Sequence, residues 1–331
     1  MLQLFRNIDF SVAVIAFIYF WVFYTANFIC PQPNVSEFQN GASAISSQVY
    51  HWVAKANFLG YLIGILSILW QSFLLSALVN EFRLSKKATF VTVPAAYLIL
   101  FSLTDNDFIN PVLLSNNFLG LSLWFLFRSA DKKAGLGEVF NSSFLLGIAS
   151  AVAWVNFAYL PLFCLALLMF RGFEWRDFLV LIAGFLSPFL LLFTYFYIND
   201  KGAAWFAQDI SQHWAVADIS LNMSVLSGIS LGFWLLLVVY TFINLNGLQQ
   251  KTTIKEQRYI QIMVLMLLFG GLSFFMQPNF HWYSLNIFFI PLAVLFSLNL
   301  QSLKSNNWAE IIHLAWLILV VAVQYSSLIF A

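Results

Sequence analysis

Eleven apolar stretches, each of bilayer-crossing length or close to it, run through this sequence. They cover residues 10–30, 57–79, 89–104, 111–127, 139–155, 158–170, 177–198, 223–245, 259–276, 285–303 and 308–330. A crossing helix needs roughly 20 mostly apolar residues, and lipid offers the backbone no partner outside a helix or a closed barrel. The pattern predicts an all-α polytopic transmembrane helical bundle of about eleven spans, forming a single integral membrane domain over 1–331. The fifth and sixth stretches nearly fuse around Trp154-Val155-Asn156-Phe157, as either a tight helical hairpin or a broken pair. Composition agrees: only 9% of residues are charged, against about a quarter in soluble domains, so a water-soluble globule is excluded.

Fifteen Lys and Arg against fourteen Asp and Glu leave a net charge of +1, which gives no electrostatic basis for nucleic-acid binding. Cys30 and Cys164 are the two cysteines, too few and too far apart for a disulfide scaffold or a cysteine metal site. The first apolar stretch exceeds the ~7–15 residues of a signal h-region and no small-residue cleavage site follows it. It is therefore expected to be a retained first helix.

Orientation follows from the basic residues of the short loops. Arg6, Arg83, Lys86, Lys87, Arg128, Lys132, Lys133, Arg171, Arg176, Lys251, Lys255, Arg258 and Lys304 all fall on one side of an eleven-span chain. These are thirteen of the fifteen, and only Lys55 and Lys201 fall on the other. The expected topology has a cytoplasmic N-terminus and a periplasmic C-terminus in a bacterial inner membrane.

The two longest loops, Pro31 to Ala56 and Asn199 to Asn222, then lie outside. Both carry amphipathic stretches, Ala42 to Lys55 and Ala203 to Ile219, that suit helices lying in the interface. Asp209 and His213 stand i, i+4 apart and would share a helix face. They read either as a base with its orienting partner or as a solvated interfacial pair. Asp105 and Asp107 flank Asn106, a spacing that can bind a divalent cation or simply make a turn. His281, in Gln277-Pro278-Asn279-Phe280-His281-Trp282-Tyr283, either meets an anionic headgroup or belongs to an aromatic belt. No cofactor is evident, since P-loop, dinucleotide, HExxH and CxxC patterns are all missing.

No span carries a central charged residue, which counts against a proton-coupled transporter. Gln71, Asn116, Asn117, Asn141 and Asn156 supply neutral polarity, by default for helix contacts or kinks. His313 with Glu310 at i−3 reads as a structural pair.

Three stretches together resemble the polytopic glycosyltransferases of the GT-C superfamily, especially its lipid-phospho-sugar mannosyltransferase and aminoarabinose-transferase branches. Asn110-Pro111-Val112-Leu113-Leu114-Ser115-Asn116-Asn117-Phe118-Leu119-Gly120 is similar to their central short helix. Phe144 to Ala151, then Tyr159-Leu160-Pro161-Leu162 with Arg171 and Arg176, is similar to their glycine-then-proline helical hairpin. His281-Trp282-Tyr283 with Pro291 looks like their late basic-Tyr…Pro motif. The resemblance implies a polyprenyl-phosphate sugar handled at the outer face. It makes Glu37 the general base, His281 and Tyr283 the phosphate contacts, and Asp105 or Asp107 supports for a metal ion. Two departures matter: Glu37 lacks the acidic neighbour usual after the first helix, and His281 stands where Lys or Arg is usual. They favour a non-catalytic subunit or scaffold with membrane-protein partners, beside an active transferase and a lipid or small-molecule transporter. The Phe-rich spans with Asn- and Ser-rich loops also resemble an uncharacterised integral membrane family of Bacteroidota.

Overall fold

The structure is a computed structural model that describes residues 4–6, 10–29, 57–102, 110–130, 135–200, 202, 225–249, 253–273, 282–303 and 306–325. Among these residues there are eleven α-helices, three 3-10 segments and no strand. The helices are α1 (Phe10–Ile29), α2 (Asn57–Glu81), α3 (Thr92–Phe101), α4 (Pro111–Arg128), α5 (Leu136–Val152) and α6 (Leu160–Arg171). They continue as α7 (Trp175–Ile198), α8 (Val225–Gln249), α9 (Ile254–Leu272), α10 (Phe289–Ser302) and α11 (Asn306–Gln324). Each apolar stretch of the sequence thus holds one helix. Five segments are long and apolar enough to cross a membrane: Leu62–Glu81, Trp154–Arg171, Trp175–Ile198, Ser284–Ser302 and Asn307–Gln324.

The lengths depart from the apolar stretches for local reasons. Residues 89–104 yield only the ten-residue α3, about 15 Å long, half the ~30 Å hydrocarbon thickness. Its start is delayed because the backbone of Thr89 is already occupied: its N–H donates to Asn80 Oδ1 at 3.0 Å and its carbonyl accepts from Asn80 Nδ2 at 3.1 Å. The Phe90 N–H donates to the Phe5 carbonyl at 2.8 Å. In α9 the helix begins at Ile254, ahead of the apolar run, because Thr253 and Glu256 form a reciprocal capping box.

The fifth and sixth stretches are a broken pair. Helix α5 ends where Ala153 turns extended (φ −140°, ψ 110°), a 3-10 segment runs Trp154–Tyr159, and α6 follows with Pro161 in its first turn. A proline has no N–H to leave unpaired there. The same construction recurs later, where the 3-10 segment Trp282–Phe288 leads into α10, which carries Pro291.

The core is built on α3 and α10. All ten residues of α3 are buried, as is α10 from Phe289 through Leu300. Helices apolar all round belong in such a position, and Thr92 donates to Ser297 Oγ at 3.2 Å across them. Helices α7 and α8 lie outside, with wide exposed apolar faces that include Leu190, Leu191, Tyr197, Ile198, Leu235, Leu236 and Ile243.

Contacts gather the helix ends into two groups. At the end bearing the basic segments, Tyr259 donates to the Phe127 carbonyl at 3.1 Å and Asn244 to Ser302 Oγ at 3.1 Å. Arg128 pairs with Glu138 at 3.7 Å, and Ser85 donates to Gln301. At the other end, Gln324 donates to the Phe101 carbonyl at 2.6 Å, and Thr25 Oγ1 lies 2.9 Å from Tyr325 Oη.

Candidate functional site

Glu37, Asp105, Asp107, Asp209, His213 and His281 lie outside the described residues, as do the two amphipathic loop stretches. Tyr283 sits in the 3-10 segment Trp282–Phe288, and its side chain is outside the described set. The helix ends that flank these residues are described, and next to them the structure builds a buried polar site from neutral amides.

The site begins with the start of α4. Asn110, extended at φ −121° and ψ 153°, accepts from the Leu113 N–H at 2.6 Å through its side chain. Its backbone carbonyl accepts from the Leu114 N–H at 3.1 Å, and Pro111 supplies the first helical position. This capped turn carries three buried attachments. Gln71 of α2 donates through Nε2 to the Leu113 carbonyl at 2.6 Å. Asn116 donates to the Asn286 carbonyl at 2.9 Å. Ser115 Oγ accepts from Asn156 Nδ2 at 2.8 Å.

Asn156 also reaches back to the end of α5, donating to the Ala149 carbonyl at 3.1 Å and the Ala153 carbonyl at 3.3 Å. Each of these carbonyls also accepts a backbone N–H, from Ala153 at 2.9 Å and from Asn156 at 3.1 Å. Tyr159 joins the two 3-10 segments by donating to the Ile287 carbonyl at 2.9 Å. Gln71, Ser115, Asn116, Asn156, Tyr159 and Asn286 are all 0–2% exposed. The arrangement binds the start of α4 and two helix breaks into one neutral polar junction whose named members are amides and hydroxyls.

Gln71, Asn116 and Asn156 appear in the sequence as polar residues within apolar stretches, and the helix-contact and kink roles both hold. Asn286 carries a signal of its own. Asn156 precedes Pro161 by five residues and Asn286 precedes Pro291 by five, each within a Trp-led apolar run. That recurrence marks the two breaks that meet on α4.

Two further polar contacts lie away from this junction. Arg171 Nε and Asp177 Oδ2 are 2.9 Å apart with both side chains largely buried, closing the turn between α6 and α7. Tyr19 Oη lies 3.2 Å from His313 Nε2, with the rings stacked, which ties α1 to α11. Glu310, one turn before His313, is half-buried. Among the described residues, no three His, Cys, Asp or Glu side chains come together as a metal site.

No protein family, curated protein or solved structure matches the chain, so its site is read from its own geometry.

Proposed function

We propose that the chain is a multi-pass protein of a bacterial inner membrane, with eleven spans and a cytoplasmic N-terminus. In this reading it serves as a non-catalytic subunit or scaffold on a GT-C-like plan. The observation that carries it is the burial of α3 and of most of α10. All of α3, and α10 from Phe289 through Leu300, are buried, and the amides of Gln71, Asn116 and Asn156 donate to backbone carbonyls of neighbouring segments. Such an interior gives rigidity and leaves outer faces for lipid and for partner helices. The exposed apolar faces of α7 and α8 suit both. The grouping of basic helix ends supports the orientation.

The test is gentle purification of the full chain from its own membrane. Partner subunits in fixed stoichiometry are expected, and Glu37→Gln should leave polyprenyl-phosphate sugar transfer in those membranes unchanged. A chain that purifies alone, and whose Glu37→Gln variant loses transfer, overturns the scaffold reading.

A second reading is an active glycosyltransferase that uses a polyprenyl-phosphate sugar at the periplasmic face. It is favoured by one observation: the loops with Glu37, Asp105, Asp107, Asp209, His213 and His281 all follow helix ends opposite the basic segments. Glu37 would take the proton from an acceptor hydroxyl. His281 and Tyr283 would hold the phosphate, Asp209 and His213 would contact the substrate, and Asp105 with Asp107 would hold a divalent cation.

A further inference from the structure

We propose that the end of the bundle where α2, α4, α6 and α9 meet is a surface for the headgroup of an anionic phospholipid. The inference rests on the reading of the chain as a membrane protein. Four rings gather at this end. The Tyr259 ring centroid lies 4.4 Å from that of Phe127, 5.4 Å from Phe82 and 5.3 Å from Phe170. Each of the four has an arginine as its chain neighbour: Arg83 beside Phe82, Arg128 beside Phe127, Arg171 beside Phe170 and Arg258 beside Tyr259. Consecutive Cα atoms are 3.8 Å apart, so packing the rings carries all four arginines to one surface. Arg83, Arg128 and Arg258 are exposed there, as are Lys86, Lys87, Arg176 and Lys255.

The carboxylates of the same segments do not cancel this charge. Asp177 pairs with Arg171 at 2.9 Å, Glu138 with Arg128 at 3.7 Å, and Glu256 accepts from the Thr253 N–H at 2.9 Å. With Glu81 and Glu174 they make five, against eight cations. Arg83 is notable for its backbone. The Leu84 N–H donates to the Val79 carbonyl at 3.0 Å and the Arg83 N–H to the Asn80 carbonyl at 3.3 Å, which closes α2 with Arg83 at φ 51°. Glycine usually fills that left-handed position. Here a cation stands in it, at a conformational cost that glycine would avoid.

The apolar neighbours select the occupant. Phe173 and Trp175, between Arg171 and Arg176, are 79% and 62% exposed, and Ile254, beside Lys255, is 72% exposed. The Arg176 guanidinium lies over the Trp175 ring at 5.8 Å. Cations alternating with exposed aromatic and aliphatic side chains suit the boundary between headgroups and acyl chains. Guanidinium groups match phosphate geometry. A water-soluble anion would gain nothing from Phe173, Trp175 or Ile254.

The test unfolds the full chain thermally in detergent micelles containing dioleoyl phosphatidylglycerol or, at the same mole fraction, dioleoyl phosphatidylcholine. With phosphatidylglycerol the midpoint should rise by about 2 °C for each tenfold increase in lipid once the site fills, and with phosphatidylcholine it should stay flat. Salt at about 1 M, where the screening length is about 3 Å, should shrink the rise. Glycerol phosphate, the soluble headgroup, should give none. Arg83→Gly with Arg258→Gln should remove most of the rise. Arg83→Gly alone should unfold no lower than the unsubstituted chain in phosphatidylcholine, because glycine suits φ 51°, so a lost response is separable from a lost fold. Lys201→Gln, in the loop after α7, should keep the rise. Equal rises with the two lipids, an undiminished rise in the double variant, or the same rise with glycerol phosphate overturns the site. A chain that floats with membranes yet gives any of these results loses the lipid surface and keeps the membrane reading.

Discussion

Asn156 turns an interruption in an apolar sequence into a defined joint. One amide nitrogen serves Ser115 Oγ, the Ala149 carbonyl and the Ala153 carbonyl, so it caps the end of α5 and fixes it to α4 at once. Removing it deletes three buried side-chain hydrogen bonds, each worth about 1 kcal/mol net, while the Ala149 and Ala153 carbonyls keep the Ala153 and Asn156 N–H groups. Asn156→Ala should therefore lower stability by about 2–3 kcal/mol, read as a fall in the denaturant midpoint in detergent. Tyr159→Phe deletes a single 2.9 Å bond to the Ile287 carbonyl and keeps the ring, so about 1 kcal/mol is expected. An Asn156→Ala loss no greater than that of Tyr159→Phe would contradict the shared-cap role. At this scale the sequence displays the polar residue and conceals its partners. Asn156 and Ser115 are 41 positions apart and Asn116 and Asn286 are 170 apart, separations that no local period encodes. The acids and histidines of the loops after α1, α3, α7 and α9 stand out by chemistry alone, since no apolar period runs through Glu37 or His213.

Among the elements, α5 and α7 approach each other closely at the backbone, through small residues. A Cβ on Gly147 would stand 2.5 Å from the Phe185 carbonyl oxygen, and one on Gly184 would strike Ser143 Oγ and lie 2.9 Å from the Phe140 carbonyl. Ser143 and Gly147 are four apart on one helix, and Gly184 and Pro188 four apart on the other, the spacing that lets apolar helices touch. Gly147→Ala should cost about 1–3 kcal/mol, because backbone must move. Gly137→Ala, on the same helix with open space around it, should instead stabilise by up to about 1 kcal/mol. Equal effects in unfolding measurements would refute the close-approach account. The turn from α6 to α7 gives a second contrast. Gly172 adopts φ 84°, which favours glycine, and the buried Arg171–Asp177 pair spans it. Asp177→Ala should cost about 3 kcal/mol, whereas Glu138→Ala, which breaks a 3.7 Å pair with a half-exposed Arg128, should cost under about 1 kcal/mol. Helix existence was readable from apolarity, but length was not. The short α3 depends on Asn80 and Thr89, and the early start of α9 on a capping box that apolarity does not register.

For the whole molecule, the decisive regularity is the alternation of basic and non-basic loops, which the helix contacts respect. Arg128 with Glu138, Tyr259 with Phe127 and Asn244 with Ser302 hold one end together, while Gln324 with Phe101 and Thr25 with Tyr325 hold the other. The short α3 packs against α10 and α2 with all ten of its residues buried, so its sides are shielded by protein. The topology has a direct test. With Cys30 and Cys164 replaced, a cysteine placed at Asn40 or Lys201 should react with an impermeant maleimide added outside intact inner-membrane spheroplasts. A cysteine at Lys86, Lys132 or Lys304 should react only after the membrane is opened. In the proposed topology of eleven alternating spans, a single missing span would reverse every later position together. Reaction of Lys132→Cys from outside would thus flip or delete spans between Asn40 and Lys132, and the count of eleven would fall with it.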